Sequence, residues 1–397
     1  MTVLQLLNLS DKLIGMGQYA ATTLSIRSVR AHPLRAVLPS VQHTAQGAWP
    51  SIEIVVVEVE TECGRVGIGE CLARRGAAGY ARFITDALAP RLIGRSAHDR
   101  RALWGAMRAA LTGRVGGILV ECIAGLDIAL WDLAGQAAGQ PVWRLLGGMG
   151  RTRVDAYASS INWTDDAGVE TEIGAALAQG FRQVKVKIGA PAERAIARVR
   201  QARRLAGDEV RLCVDANWAF DADEAMRVGR VLCDLDYWWF EEPVPPGDHA
   251  GYRRLRQHLP IRLAAGESDF TAQDSHSLLA DGTLGLVQPD VARSGGITET
   301  WRIAELAAVH GVAYAPHVGW SGGICAAASL HLAAAAPAFL TFECMVFDNP
   351  LRQVLTRPLL GDAAMLRDGM LDVPDAPGLG VQLDPDALAR LTIKEAA

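Results

Sequence analysis

The feature that most constrains the fold of this chain is a series of short apolar segments that each end in an ionisable residue. The clearest lies at residues 237–243, where four aromatic residues are followed by two glutamates and a proline. Such a run predicts a strand that is buried on both faces and stops at the proline. Segments of this kind end at Lys187, Asp215, Glu241, Glu267, Asp290, His317 and Glu343.

Successive ends are separated by 23 to 28 residues, about the length of one strand and one returning helix. The sequence between them supports this reading, because residues 193–205 and 299–309 place apolar side chains on one helical stripe. With a further strand at residues 154–161, there are eight units. Eight such units predict a parallel barrel, whose chemistry takes place at the C-terminal ends of the strands.

The sequence before the barrel predicts a small antiparallel sheet and several helices. Strands are expected at residues 24–35, 51–61 and 66–71, and the polar segment 36–50 between the first two is expected to be a lid loop. Helices are expected at residues 79–92, 100–111 and 117–138. The segment after Glu343 consists of short strand-like pieces and turns, and we expect it to pack back on the N-terminal part.

Composition excludes several classes of function. Of 397 residues, 50% are hydrophobic and 21% are charged, as in an ordinary globular protein. The net charge of −5 and the absence of a basic cluster argue against a nucleic-acid partner. No apolar run is long enough for a membrane span, and residues 1–21 lack the basic start of a signal peptide. Seven scattered cysteines fit a reducing compartment, so we expect a cytoplasmic protein.

Three carboxylates end successive predicted strands: Asp215, Glu241 and Glu267. Neighbouring strand ends converge in a barrel, and like charges so close cannot all stay ionised without a cation. Hard oxygen ligands suit Mg²⁺, so these residues are candidate magnesium ligands. The alternative is that each acid only caps the helix that follows it.

Two lysines, Lys185 and Lys187, are two residues apart and so project to the same side of their strand. A neighbouring ammonium would lower the pKa of Lys187 and make it a usable base. Lys185 would stay charged and bind an anion. The alternative is an exposed strand with ordinary alternation.

The remaining candidates end the last three strands. Asp290 and His317 end adjacent strands, and a carboxylate beside an imidazole fixes its tautomer and supports its protonated form. Glu343 ends strand eight, across the barrel from Glu241. The predicted arrangement places Lys187 and His317 on two flanks of a substrate carbon, with Glu343, in its neutral form, sharing the charge of an enediolate. The alternatives are a capping aspartate, an ordinary histidine and a salt-bridged glutamate.

The ordered motifs resemble the enolase superfamily, specifically its mandelate racemase-like subgroup. The matching motifs are Lys185-Val-Lys187, Asp215-Ala-Asn217, Glu241-Glu242-Pro243, Gly266-Glu267, Gln288-Pro289-Asp290, Pro316-His317 and Phe342-Glu343. The resemblance implies an α/β fold, a modified TIM (β/α)7β barrel with an α+β capping domain. It places the N-terminal extension at residues 1–21, the capping domain at 22–148, the barrel at 149–345 and a C-terminal segment at 346–397.

The resemblance also implies roles for the candidate residues. Mg²⁺ would be bound by Asp215, Glu241 and Glu267, with Lys187 and His317 as bases, Asp290 orienting His317 and Glu343 as electrophilic donor. Predicted substrate-binding residues are Lys185, Asn217, His43 and Trp320. The family also tends to self-associate, so a homo-oligomer is expected.

The subgroup contains acid-sugar dehydratases, racemases and a cycloisomerase of sugar-acid lactones. Residues 347–352 resemble the acid-sugar enzymes, and the polar lid with Gln42, His43 and Gln46 suits a polar small-molecule carboxylate. We therefore predict a lyase that dehydrates an aldonic or aldaric acid to a 2-keto-3-deoxy acid. The alternatives are racemisation, epimerisation or lactone cycloisomerisation through the same enolate, and a non-catalytic metal-binding barrel.

Overall fold

Two large sheets organise the part of the chain that this computed structural model describes, residues 24–113 and 115–394. The extension predicted for residues 1–21 lies outside the described residues. The first sheet is antiparallel, in the order β1 (Ile26–Thr44), β2 (Gly47–Thr61) and β3 (Val66–Cys71).

The lid predicted as a loop at residues 36–50 is instead the far end of the β1–β2 hairpin. The two strands stay paired to Thr44 and Gly47, with a register shift between Val37 and Gln42. The prediction was wrong because the alternation of buried and exposed side chains, which defines a strand with one covered face, continues past residue 35 through Ala36 and Leu38.

Three α-helices follow this sheet: α1 (Ala77–Phe83), α2 (Arg100–Arg108) and α3 (Ile118–Ala138). The first is shorter than predicted, because the chain continues as a π-turn at Ile84–Leu88 and a 3₁₀ turn at Ala89–Arg91. Pro90 has no N–H with which to extend an α-helix. Helix α3 is buried along most of its length and packs on β3.

The second sheet is the barrel. Its strands are β4 (Arg153–Ile161), β5 (Gln183–Lys187), β6 (Arg211–Asp215), β7 (Trp239–Glu241), β8 (Arg262–Ala265), β9 (Leu286–Val287), β10 (Ala313–Tyr314) and β11 (Phe342–Met345). They pair in parallel in the order β10-β9-β8-β7-β6-β5-β4-β11. A bridge between Tyr314 and Phe339 joins β10 to the segment before β11 and so closes the barrel. The Leu340 N–H donates to the Tyr314 carbonyl at 2.8 Å.

Helices connect these strands on the outside. They are α4 (Val142–Leu145), which precedes β4, then α5 (Asp166–Ala178), α6 (Ala192–Ala206), α7 (Ala222–Asp234), α8 (His249–His258), α9 (Ala272–Ala280), α10 (Gly296–Val309) and α11 (Gly323–Ala335). The helix that comes directly after β11 is the short α12 (Pro350–Gln353). The barrel therefore has seven long βα units and a final strand, which confirms the predicted fold class.

The C-terminal segment contacts both sheets. It contains β12 (Thr356–Arg357), β13 (Met370–Asp372), β14 (Gln382–Leu383) and α13 (Pro385–Leu391). Strand β13 pairs antiparallel with β4 of the barrel. The Leu379 N–H donates to Asp132 of α3 at 2.8 Å, and the Ile393 N–H donates to the Pro33 carbonyl of β1 at 2.8 Å. Among the described residues no helix combines the length and hydropathy needed to cross a bilayer.

Contact between β3 and α3 depends on glycine. A Cβ added at Gly69 would overlap the backbone carbonyl of Gly125, whereas one added at Gly79 in α1 meets nothing within 4 Å. We expect Gly69→Ala to lower the free energy of unfolding by ~1–3 kcal/mol or more, because backbone cannot move aside easily. Gly79→Ala should be neutral or stabilising by up to ~1 kcal/mol.

Urea unfolding of the two variants and the parent protein measures both effects. Equal midpoints for Gly69→Ala and the parent would show that the strand and helix are not in direct contact.

Candidate active site

Three carboxylates converge at the C-terminal ends of the central barrel strands. Asp215 ends β6 and is the register partner of Glu241, which ends β7, and Glu267 follows β8 by two residues. One oxygen from each lies within 4.8 Å of the others, and all three side chains are buried. Three hard oxygen ligands at this separation fit a small divalent cation such as Mg²⁺.

Neighbouring polar groups fix two of these carboxylates. The Asn217 backbone N–H and side-chain amide both donate to Asp215, at 2.8 and 3.2 Å. Glu241 accepts from the Trp239 indole at 3.1 Å and from the Gln288 amide at 2.8 Å. Their oxygens are therefore held in defined positions by hydrogen bonds.

Lys185 lies at the centre of the site and is fully buried. Its Nζ is 2.6 Å from Glu241, 2.9 Å from Glu343 and 3.9 Å from Asp215. Burial lowers the pKa of this ammonium, but the surrounding carboxylates outweigh burial and raise the pKa well above its ordinary value. Lys185 therefore stays charged, as predicted, and the anions that it contacts here are carboxylates of the protein.

Lys187 departs from the prediction for its ionisation. Its ammonium forms a short ion pair with Asp215. Burial lowers the pKa of Lys187 and so does Lys185, but Asp215 and the other carboxylates outweigh both, and the net pKa is raised. The predicted lowering by the neighbouring ammonium is therefore present, but the acids that the barrel places around Lys187 act in the opposite direction and outweigh it.

His317 and Asp290 are brought together as predicted. Their backbones form a parallel bridge, and Nδ1 of His317 lies 2.7 Å from Asp290. Nε2 faces the site, 3.1 Å from Glu267 and 4.0 Å from Glu343. Burial lowers the pKa of His317, but Glu267, Glu343 and Asp290 raise it well above its ordinary value. The imidazole is therefore protonated in this arrangement.

Glu343 lies among hydrogen-bond donors and positive charges. It accepts hydrogen bonds from Ser159 Oγ at 2.6 Å and from the Val318 N–H at 2.6 Å. Burial raises its pKa, but Lys185 and His317, with these two donors, lower it on balance below the ordinary value. These contacts favour the carboxylate form, and the role predicted for a neutral Glu343 stays a prediction.

The backbone at the barrel mouth adopts left-handed conformations at several residues other than glycine. The φ angles are 73° at Ser160, 42° at Asn217, 63° at Trp218, 43° at Glu242 and 64° at Trp320. Such residues cost free energy and persist where the surrounding structure holds them, often at functional sites.

The tip of the β1–β2 hairpin covers this mouth. Gln46 donates to the Asn217 carbonyl at 2.6 Å, and the His43 N–H donates to Asn162 at 2.8 Å. A pocket remains between hairpin and barrel, with a free volume of about 40 Å³, far below the roughly 300–1,000 Å³ of ligand sites. The hairpin therefore leaves little free space between itself and the barrel mouth.

Ten residues line this pocket: Thr44, Gln46, Trp49, Ser51, Ile52, Arg74, Asn217, Trp218, Glu267 and Trp320. Two of the predicted substrate-binding residues, Asn217 and Trp320, are among them. His43 is not, because side chains alternate along a strand and its neighbour Thr44 occupies the inner position. Lys185 lies deeper, among the carboxylates.

Several residues that contact the site were missed by the sequence reasoning. Gln288 lies just after β9 in the motif Gln288-Pro289-Asp290, which was recognised in the sequence, but no role was predicted for its side chain. Ser159, near the end of β4, gave a weaker signal in the sequence. Arg74 gave none, because it belongs to the segment after β3 and reaches Glu267 at 3.2 Å only through the tertiary fold.

Acidic residues of the N-terminal unit also hold the barrel helices that follow the catalytic loops. Glu70 of β3 accepts from the Gly322 N–H at 2.6 Å and the Cys325 N–H at 3.0 Å, at the start of α11. Asp127 of α3 accepts from the Thr298 N–H at 2.8 Å, at the start of α10. The loops that carry His317 and Asp290 are thus fixed from outside the barrel.

Burial raises the pKa of Glu70 to about 7, against 4.5 for an ordinary glutamate. Between these values the native protein binds more protons than the unfolded chain, so stability falls as the pH rises from 4.5 to 7. We expect Glu70→Gln to gain stability relative to the parent, by ~1–3 kcal/mol, between pH 5 and pH 8. Urea unfolding at the two pH values measures it.

Glu62→Gln, in the exposed turn after β2, is the control and should show no such gain. An equal stability difference between parent and Glu70→Gln at both pH values would contradict the expected titration.

The fold and site together define a class of protein. A parallel barrel with three carboxylates at successive strand ends, a lysine and a histidine beside them, and a hairpin cap is suited to proton transfer at an acid substrate.

Comparison with known proteins identifies the family. Residues 25–147 match the family described as "Mandelate racemase / muconate lactonizing enzyme, N-terminal domain", and residues 169–387 match "Enolase C-terminal domain-like". The chain belongs to the enolase superfamily, in its mandelate racemase-like subgroup, which confirms the resemblance seen in the sequence.

Individual relatives cover nearly the whole chain. A D-galactarolactone cycloisomerase of Agrobacterium fabrum is 33% identical over 94% of this chain and 100% of its own length. An arabinonate dehydratase of Saccharolobus solfataricus is 35% identical over 83% of this chain and 88% of its own. A racemase of Streptomyces coelicolor A3(2), solved with bound magnesium, has a TM-score of 0.84 at 31% identity, covering 93% of this chain and 100% of that one.

The chain is thus an enzyme, as predicted, and its relatives are of the two predicted classes, lyases and isomerases. Self-association and a cytoplasmic location stay predictions.

Proposed function

We propose that this enzyme removes the α-proton of a sugar acid and dehydrates it to a 2-keto-3-deoxy acid. The observation that carries the proposal is the position of the two proton-transfer residues. Lys187 contacts Asp215 at one end of the carboxylate group, and His317 contacts Glu267 at the other. A substrate carboxylate above the three acids therefore lies between them.

The proton transfers follow from this arrangement. Lys187 or His317, whichever faces the α-hydrogen, takes the proton, and the C–H electron pair forms the enediolate. His317, as imidazolium, gives its proton to the β-hydroxyl, the C–O bond breaks and water leaves. The enol then releases its hydroxyl proton from O2 to water and takes up a proton from water at C3, which gives the 2-keto acid. When Lys187 is the base, His317 already carries the proton that it donates.

The charged groups around the site assist these steps. Lys185, together with Lys187 once it has taken the α-proton, places positive charge where negative charge develops on the substrate carboxylate. Asp290 holds His317 through Nδ1, so that Nε2 faces the pocket. We propose that Glu343, which lies 4.0 Å from this nitrogen, accepts a hydrogen bond from the substrate and stabilises the imidazolium.

The donor set of Asp215, Glu241 and Glu267 fits Mg²⁺, because all three are carboxylates and their oxygens converge. When bound there, Mg²⁺ would offset the acids around Lys187, favouring its neutral form, and stabilise negative charge on the substrate carboxylate.

The pocket lining supports a polyhydroxylated substrate. Trp49 Nε1 and Asn217 Oδ1 are buried without a hydrogen-bond partner among the described residues. One is a donor and the other an acceptor, and both suit sugar hydroxyls. Thr44 and Gln46 add further polar groups at the hairpin tip.

Lactone cycloisomerisation is the second candidate, and the cycloisomerase relative favours it because it matches the chain over nearly its whole length. The two reactions share proton abstraction and differ in the group that leaves.

Turnover of a panel of aldonic and aldaric acids, and of their lactones, in D₂O with Mg²⁺ tests the proposal. The parent enzyme should form a 2-keto-3-deoxy acid, detected by NMR. Lys187→Ala and His317→Asn should each lower kcat at least ~100-fold, because each removes a proton-transfer group. The exposed His98→Asn is the matched control and should retain activity.

Product without a keto group would select the isomerase instead. Neither product nor deuterium exchange with any acid would overturn the proposal, as would full activity in both variants.

Metal binding is tested separately by isothermal titration calorimetry with Mg²⁺. Asp215→Asn should weaken binding at least ~10-fold, because it removes a charged ligand. Asp221→Asn, the same change at the N-cap of α7, should bind as the parent does. Equal affinity in all three proteins would place the cation elsewhere.

A further inference from the structure

Arg74 is a charged residue that the fold aims at the pocket from outside the barrel. It lies three residues after β3, and its backbone N–H donates to the Glu53 carbonyl at 2.8 Å. The nearby Leu72 N–H donates to the Ala292 carbonyl of the barrel at 3.2 Å. The φ of Arg74 is 59°, a left-handed value that is costly for arginine. Hydrogen bonds to Glu53 and to Ala292 thus hold this segment, and Arg74 keeps a left-handed conformation that is costly for residues other than glycine.

The guanidinium has fewer partners than it can use. One terminal nitrogen lies 3.2 Å from Glu267 Oε1, while Nε is buried without a hydrogen-bond partner among the described residues. A buried N–H that lacks a partner costs free energy. Glu267 also contacts His317 and belongs to the proposed metal site, so it cannot satisfy Arg74 fully.

The rest of the pocket wall is neutral or acidic. Among the ten described residues that line it, Arg74 is the one cation and Glu267 is the one anion. The neutral residues suit hydroxyl groups, whereas a guanidinium presents a planar fork that matches a carboxylate. The carboxylate beside the reacting carbon is already accounted for by the metal site and the two lysines. The positive charge of Arg74 is therefore left for a second anionic group.

We propose that Arg74 binds the second, distal carboxylate of a sugar diacid, so that the enzyme acts on aldaric acids in preference to aldonic acids. This inference rests on the proposed function and names its substrate class. It assigns Arg74 a role in specificity and none in proton transfer.

The test compares matched acids that differ only at the far end, a hexaric acid and the hexonic acid of the same configuration. The parent enzyme should prefer the diacid. Arg74→Gln should lower kcat/KM for the diacid by about 10- to 100-fold, which corresponds to the loss of charge-assisted hydrogen bonds. Most of this change should appear as a higher KM. The change for the monoacid should be less than about threefold. Arg74→Lys should fall between, because it keeps the charge and loses the fork.

Arg82→Gln is the control, since the side chain of this arginine of α1 is 80% exposed and its ion pair within the described part of the chain is with Asp86. It should leave both acids unaffected. Isothermal titration of the Mg²⁺-loaded parent and Arg74→Gln with the two acids gives the same comparison without turnover.

The outcomes separate the two proposals. Equal losses for both acids would mean that Arg74 only supports Glu267 or binds the reacting carboxylate, which overturns the inference and leaves the proposed function intact. A parent enzyme that prefers monoacids would also overturn the inference and leave the proposed function intact. If no acid is turned over, the proposed function fails, and the titration alone decides Arg74: diacid binding that Arg74→Gln weakens supports its role, and unchanged or absent binding refutes it.

Discussion

The whole site depends on the balance of charge around Lys185. Asp215, Glu241 and Glu343 come from three different strands and would repel one another in a buried space. The ammonium of Lys185 lies within 3.9 Å of all three. Burial of the Lys185 ammonium costs free energy, and the attraction of the surrounding carboxylates offsets this cost. Each strand end is therefore positioned by the same cation, and a divalent ion would complete the balance that the lysines begin.

The N-terminal unit contributes more than a cover. Glu70 and Asp127 cap the helices that follow the His317 and Asp290 loops. Arg293 donates to Glu121 of α3 at 2.9 Å and to the backbone carbonyl of Glu267 at 2.7 Å. The N-terminal unit is thus connected by hydrogen bonds to the loop of His317 and to Glu267, a proposed metal ligand. The hairpin and Arg74, which line the pocket, belong to this same unit.

Much of the barrel was predictable because its signals are local. Most of the segments predicted as strands are apolar and stop at an ionisable residue, and they repeat at a similar interval, so an error in one segment does not change the predicted architecture. The hairpin at residues 36–50 was misread because its polar composition resembles a loop, while its pairing partner lies in another segment. His43 was predicted to bind substrate because it lies in this polar segment, but strand alternation places Thr44 at the pocket instead.

The sequence by itself determined the order of strands, the identity of the three acids and the neighbouring positions of Asp290 and His317. These follow from parallel strands whose ends meet at one edge. Only the tertiary structure decided which charged groups surround Lys187 and Glu343, and that Arg74 reaches Glu267. Charge interactions depend on distances between groups far apart in the chain, and a sequence read segment by segment does not contain those distances.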